Sequence, residues 1–342
     1  MEKTTSGGNA MQYQNIRIDK SLYKNAGGFL AALEKLDPSE QYRGTELAGL
    51  DAFQRQLKRF DIKVSGPGSS PIAKFFSTAD SAALFPEYVS RAVAQGAQEE
   101  SILSEIVSAR TDIQSLDYRS ITTDIGNASD LINPIGEGEA IPVTEITLNE
   151  TLVTLKKRGR LLRASYEAIK FQRLDVFTVA LRQIGAYIAK AQLKDAVEVL
   201  IGSGDTAAET VNQSGSALSY ADLLALWSKF EDFEMNVLLA SPATAAAILS
   251  IPELRDPAVG LSFAKEGGSI TPLGAKLIKT SAVPDGKIIG LDKRFALEMV
   301  TAGGIQVEYD KLIDSQLERA AVTSICGFTK LFPAAVKVLA TA

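Results

Sequence analysis

Histidine is missing from all 342 residues, and cysteine occurs once, as Cys326. Without imidazole there is no Ser–His–Asp triad, no Cys–His pair and no His-ligated zinc or iron site. One cysteine forms neither an internal disulfide nor a thiolate cluster, so it leaves the redox compartment open. No apolar run approaches the roughly 18 residues that a membrane-crossing helix needs. The start, Met1-Glu2-Lys3-Thr4-Thr5-Ser6-Gly7-Gly8, is polar where a signal peptide carries its apolar stretch. The expected compartment is therefore cytoplasm-like. Charge is not heavily one-sided either. Lys and Arg total 36 against 41 Asp and Glu, a net charge of −5 that argues against a surface built to grip polyanions. What stays open is chemistry by carboxylate, lysine, tyrosine or serine, or no catalysis at all.

With 46% hydrophobic and 23% charged side chains, the composition is that of an ordinary folded protein. The length predicts two domains or one elaborated domain. Residues 29–36 read as a helix. Asp37-Pro38-Ser39-Glu40 reads as the start of a second helix, with Asp37 as N-cap and Glu40 closing a capping box. Leu47, Leu50, Phe53, Leu57 and Phe60 give that helix one apolar face. Ser65-Gly66-Pro67-Gly68-Ser69-Ser70-Pro71 is the most linker-like stretch. A further helix is predicted over 85–97, an apolar, β-branched stretch follows over 102–109, a strand is predicted over 118–123, and a loose turn-rich stretch over 124–142. Alternating segments at 145–148 and 152–155 complete a long extended excursion, which returns through Lys156, Lys157, Arg158, Arg160 and Arg163. Phe177, Leu181, Ile184, Ile188, Ala191 and Val197 share a face of a helix over 175–201, about 40 Å long at 1.5 Å per residue. Gly202-Ser203-Gly204 ends it. The remainder is mixed: helices over 220–230 and 242–249, and strands near 236–239, 275–280, 287–291, 296–300, 305–309, 319–326 and 335–339.

Candidate chemistry is sparse. Gly202-x-Gly204-x-x-Ala207 follows a helix, whereas a dinucleotide fingerprint needs a strand before it, so these glycines read as a helix end. Gly286-Lys287 is followed by Ile288, which excludes a phosphate-binding loop. The carboxylate pairs Glu137/Glu139 and Glu99/Glu100 lie in polar, exposed sequence rather than in a pocket that would split their pKa values. The excursion carries Glu137, Glu139, Glu145 and Glu150 on its way out and the basic run on its way back, with no interleaved aromatics for base stacking. Such limbs suit charge pairing, across their own hairpin or with a neighbouring copy. A solvated strand face is the other reading. Trp227 and Cys326 are expected in core packing.

Three segments in order resemble the major capsid protein of tailed bacteriophages, the Hong Kong ninety-seven type of fold. They are the helical run from Asp51 to Ile62 with Leu84-Phe85-Pro86-Glu87-Tyr88-Val89-Ser90-Arg91; the Glu- and Gly-rich excursion, basic strand and long helix; and Leu238-Leu239-Ala240-Ser241-Pro242 with the closing β-rich run to Phe332-Pro333. The resemblance implies an α+β fold: an N-terminal helical extension over 1–70, an arm over 81–123, an extended loop over 124–165, a peripheral domain over 166–215 and 301–342 with the long helix as spine, and an axial domain over 216–300. It implies a non-enzymatic subunit that self-assembles, as hexamers and pentamers, into the icosahedral shell around the double-stranded DNA of a tailed phage. Its partners would be portal, scaffolding and decoration proteins and non-specifically contacted DNA, with no cofactor, metal or membrane. It would be assembled in the host cytoplasm and end in the virion capsid. Glu137, Glu139, Glu145, Glu150, Lys156, Lys157, Arg158, Arg160 and Arg163 are the intersubunit contact candidates. Some family members weld their shells through a lysine near the loop tip, and 124–155 contains none. An encapsulin-type compartment shell shares the fold and is the near alternative; a carboxylate- or lysine-dependent cytosolic enzyme is the distant one.

Overall fold

The computed structural model describes residues 12–25, 27–99, 101–115, 117–124, 134–137, 145–149, 151–165, 171–255, 273–312 and 317–341. Its strands in chain order are β1 (Ala109–Asp112), β2 (Ile121–Asp124), β3 (Glu145–Leu148), β4 (Lys156–Ser165), β5 (Glu209–Asn212) and β6 (Val237–Ala240). They continue with β7 (Lys276–Lys279), β8 (Lys287–Leu291), β9 (Leu297–Thr301), β10 (Gln306–Leu312), β11 (Leu317–Lys330) and β12 (Val336–Ala340). Backbone contacts divide the chain into two units. One comprises Met1–Glu100, Gly159–Ile188 and Ile305–Thr323; the other comprises Ser101–Arg158, Ala189–Gly304 and Ser324–Ala342.

The first unit is built on helices. Gly28–Leu36 is helical as expected, but the next helix begins at Ala52, not after Asp37. Asp51 is its N-cap, in a capping box with Gln54, and 39–42 makes only a short 3-10 turn. Asp37 is instead committed to side chains. It is fully buried, accepting from Arg55 Nε at 2.6 Å and from Tyr42 Oη at 2.6 Å. The expected linker is a packed turn as well: Ser70 donates its amide to Lys63 O at 2.7 Å and accepts from the Leu174 amide at 2.9 Å. Ile18, Phe29, Leu33, Phe53, Leu57 and Phe75 therefore share one core with Phe85, Tyr88, Val89, Leu174 and Leu181. Arg91, on helix Phe85–Glu99, reinforces this by bonding Asp51 at 2.7 Å while lying 4.4 Å over the Phe53 ring. Gly96 does not end that helix but sits inside it. A Cβ at Gly96 would lie 2.1 Å from Arg182 O, and one at Gly185 would lie 2.0 Å from Val93 O. These glycines let the backbones of helices Phe85–Glu99 and Leu174–Ile201 touch. Antiparallel β10 and β11 pair from Gln306↔Thr323 to Leu312↔Leu317.

The second unit contains a mixed sheet in the order β5-β12-β8-β6-β7. Its central strands are apolar at nearly every position, because both faces are covered. Side chains alternate across the pleat. Val237, Leu239, Ile289, Leu291, Val336 and Val338 meet Leu193, Ala196, Val197 and Leu200 of the long helix. Leu238, Ile288 and Leu339 meet Leu223, Leu226, Ala245 and Ile248 from helices Tyr220–Trp227 and Pro242–Leu249. Trp227 departs from expectation, being 47% exposed. The helix buries Leu223 and Leu226, and Trp227 stands about 100° round from Leu226. Cys326 is buried, and burial pushes its thiol up to about 11. The apolar, β-branched stretch 102–109 contains a short 3-10 turn over Leu103–Glu105, and β1 starts at Ala109 and runs parallel to β9. β9 also pairs antiparallel with the end of β11, from Cys326↔Thr301 to Lys330↔Leu297.

Candidate assembly surface

The described part of the excursion includes a two-stranded ribbon. β2 and β3 pair antiparallel from Ile121↔Leu148 to Asp124↔Glu145, and β2–β3 is a separate two-stranded sheet. Below the ribbon, Asn149 donates its amide to Ser120 O at 2.7 Å and Val153 donates to Tyr118 O at 2.9 Å. Residues 152–155, predicted to alternate as a strand, join no strand. Two apolar side chains of the ribbon stay in solvent: Ile121 is 52% exposed and Leu148 65%. An isolated ribbon of this kind buries too little apolar surface to stabilise itself.

Of the acidic candidates, Glu137 is exposed and Glu145 lies in β3; Glu139 and Glu150 fall outside the described residues. The basic candidates divide by position along β4. Arg158 forms a two-pronged bond to Asp195, at 2.6 and 3.0 Å. Lys156 reaches Asp195 at 2.8 Å and Glu198 at 3.1 Å. Burial alone would raise the Asp195 carboxyl, but the bonds from Arg158 and Lys156 outweigh it and hold the group below its ordinary range. The same bonds, led by the one to Asp195, raise Lys156. Lys157, Arg160 and Arg163 are exposed and make no ion pair among the described residues; Arg160 lies 5.7 Å from the Tyr187 ring centroid. Sequence reasoning missed Asp195 and Glu198, although their signal is visible as two acids three apart on an apolar helix.

Within the first unit the long helix also carries an uncovered apolar side. Leu174, Leu181 and Ile188 are buried, whereas Val176, Val179 and Tyr187 are 57%, 65% and 48% exposed, with Phe171 just before them at 74%. Val176, Val179 and Tyr187 fall on one helix face, which makes that face a candidate interaction surface. The second unit has a cavity of about 610 Å³ between the ribbon base and the end of the long helix, lined among others by Leu152, Lys156, Glu198, Phe328 and Lys330. Burial draws the Lys330 ammonium down to about 8, and it donates to Thr206 O at 2.7 Å. Glu198 is engaged by Lys156, so the cavity presents no carboxylate pair for acid–base work. Among the described residues no cluster of three or more acidic or cysteine side chains is placed to hold a metal.

A family model described as phage capsid protein matches residues 148–323, from the ribbon base through the long helix to β11. The chain belongs to the phage capsid protein family. No curated protein matches it. Among solved structures, the capsid of an empty GTA particle is similar at a TM-score of 0.54 and 13% identity, covering 71% of this chain and 90% of that one. Gordonia phage Cozz gives 0.51 and 15%, covering 71% and 87%. The holo-SrpI encapsulin complex of Synechococcus elongatus PCC 7942 gives 0.50 and 16%, covering 70% and 86%. The fold is thus the mixed helix-and-sheet, Hong Kong ninety-seven type expected from sequence, and the capsid protein is a shell subunit that works in many copies in the virion.

Proposed function

We propose that this capsid protein is the major shell subunit of a tailed phage, assembling as hexamers and pentamers into an icosahedral capsid around double-stranded DNA. The observation that carries the reading is the family match, which spans the ribbon base, basic strand and long helix. The geometry supports it. A ribbon anchored at its base with exposed apolar side chains is stabilised when it lies across a second copy. The acidic limb, with Glu137, Glu139, Glu145 and Glu150, faces a complementary surface in Lys157, Arg160 and Arg163 of another copy. Lys156 and Arg158, both also paired with Asp195 within the subunit, complete the proposed contact set.

The proposed finer division is extension 1–70, arm 81–123, extended loop 124–165, peripheral domain 166–215 with 301–342, and axial domain 216–300. The role is structural rather than enzymatic. Portal, scaffolding and decoration proteins and non-specific DNA contacts complete the partners, with assembly in the host cytoplasm. An encapsulin-type shell is the second reading, favoured by the likeness to the SrpI encapsulin. Nuclease treatment of purified particles, followed by extraction of their contents, separates the two. Protected DNA of genome length supports the capsid; a single packaged protein without DNA supports the compartment.

A further inference from the structure

Glu298 is out of place in its strand. β9 reads Leu297-Glu298-Met299-Val300-Thr301, and the Glu298 residue is only 4% exposed. Its carboxylate meets no cation among the described residues. It accepts instead from three hydroxyls: Thr111 Oγ1 at 2.5 Å, Tyr118 Oη at 2.7 Å, and Ser120 Oγ. Thr111 is on β1, beside β9, whereas Tyr118 and Ser120 lie on the outgoing limb just before β2. A buried carboxylate is costly unless its lone pairs are satisfied, so this arrangement persists only while the limb keeps its hydroxyls in place.

The return limb is held in the same unit by different means. A Cβ on Gly327 would lie 2.6 Å from Thr154 O and 3.0 Å from Val153 Cγ1, so the limb passes over β11 at a notch that only glycine leaves open. Directly beyond it, Lys156 and Arg158 close on Asp195, whose side chain is 6% exposed. Val153, between the notch and the hydrogen bond to Tyr118 O, is 7% exposed.

We infer that Glu298, the Gly327 notch and Asp195 form a socket that fixes the direction in which the ribbon leaves its subunit, with Glu298 and its three hydroxyls as the positioning element for the outgoing limb. The inference rests on the assembly reading for its consequence, since a ribbon aimed wrongly cannot reach its place on the next copy. It does not rest on that reading for its geometry. A charge bonded by three hydroxyls on two chain segments is directional in a way that apolar packing is not.

The test is amide hydrogen exchange on the full-length subunit, with electron microscopy of the particles it forms, for the wild type, Tyr118→Phe, Glu298→Gln and Gly327→Ala. Tyr118→Phe removes one hydroxyl and leaves the ring, so the fold survives. The expected result is exchange at Asn149 and Val153 accelerated by about tenfold in Tyr118→Phe and more in Glu298→Gln, with the β6-β8-β12 core unchanged. Shells from these variants should be fewer and irregular. Gly327→Ala should loosen Val153 while leaving Ser120 Oγ on Glu298. Unchanged exchange at Asn149 and Val153, acceleration spread evenly over the core, or regular shells built from loosened ribbons would each overturn the socket. A wild type that forms no shell contradicts the assembly reading instead, and the exchange result then judges the socket alone.

Discussion

At the residue scale the energetics rest on buried carboxylates, each with a different answer to desolvation. Asp37 takes a guanidinium: Arg55 is fully buried, lies 4.4 Å over the Tyr42 ring, and also donates to Ser39 Oγ at 2.9 Å. Removing one partner of such a pair typically costs about 3–5 kcal/mol, because the other charge is stranded. Asp195 takes a lysine and an arginine, and Glu298 takes hydroxyls. Asp292, fully buried, organises a turn: it accepts from the amides of Glu234 and Arg294, from Asn236 Nδ2 at 2.9 Å and from the Arg294 side chain at 2.8 Å. Burial works against the Asp292 carboxylate, but the bond from Arg294 and the backbone bonds outweigh it and hold its pKa at about 2. The sign follows. A folded-state pKa below the unfolded value gives stability that is complete above about pH 4 and lost as pH falls toward 2. Urea melts at pH 2–6 should show Asp292→Asn less stable than wild type at pH 6, with the gap narrowing as pH falls from 4 to 2. A constant gap over that range would mean that Asp292 stays uncharged or that its bonds are not made.

At the element scale, periodicity within one segment is legible from sequence and contact between segments is not. The helix expected over 175–201 is found as Leu174–Ile201, and the expected strand 287–291 is β8 itself, because each has its pattern within its own residues. Asp37 shows the limit. Asp-Pro-Ser-Glu is locally a helix start, but Arg55, 18 positions away, claims the carboxylate, and Asp51 caps the helix instead. The site divides in the same way. The charged run of β4 is plain in the sequence, but its split into residues bound to Asp195 and residues left exposed depends on where the strand lies against the helix. Glycines at helix crossings are equally hidden. In an exposed helix Gly→Ala gains about 1 kcal/mol. At Gly185 the new methyl would sit 2.0 Å from Val93 O, so the sign reverses. We predict that Gly185→Ala destabilises the subunit by about 2 kcal/mol or more, read as a lower denaturant midpoint. A stabilised Gly185→Ala would mean the two helices stand further apart.

At the scale of the whole molecule, the chain is a shell subunit of the phage capsid protein family. Ile121 and Leu148 on the ribbon and Val176 and Val179 on the long helix are exposed apolar side chains, and an obligate interface commonly buries upward of about 2,000 Å². Modest contacts repeated around a closed shell make it collectively stable. Residues 124–155 contain no lysine, so no amine is available there for a covalent weld. Mature particles boiled in detergent should therefore run as monomer on a denaturing gel, and a ladder of multimers would refute this. The central claim is that the purified chain closes into shells, and electron microscopy of the expressed full-length protein tests it most directly. The account predicts closed particles with five- and six-fold clusters of subunits, each ribbon lying on a neighbour. A population of small open oligomers under all assembly conditions, with ribbons free in solvent, would contradict it.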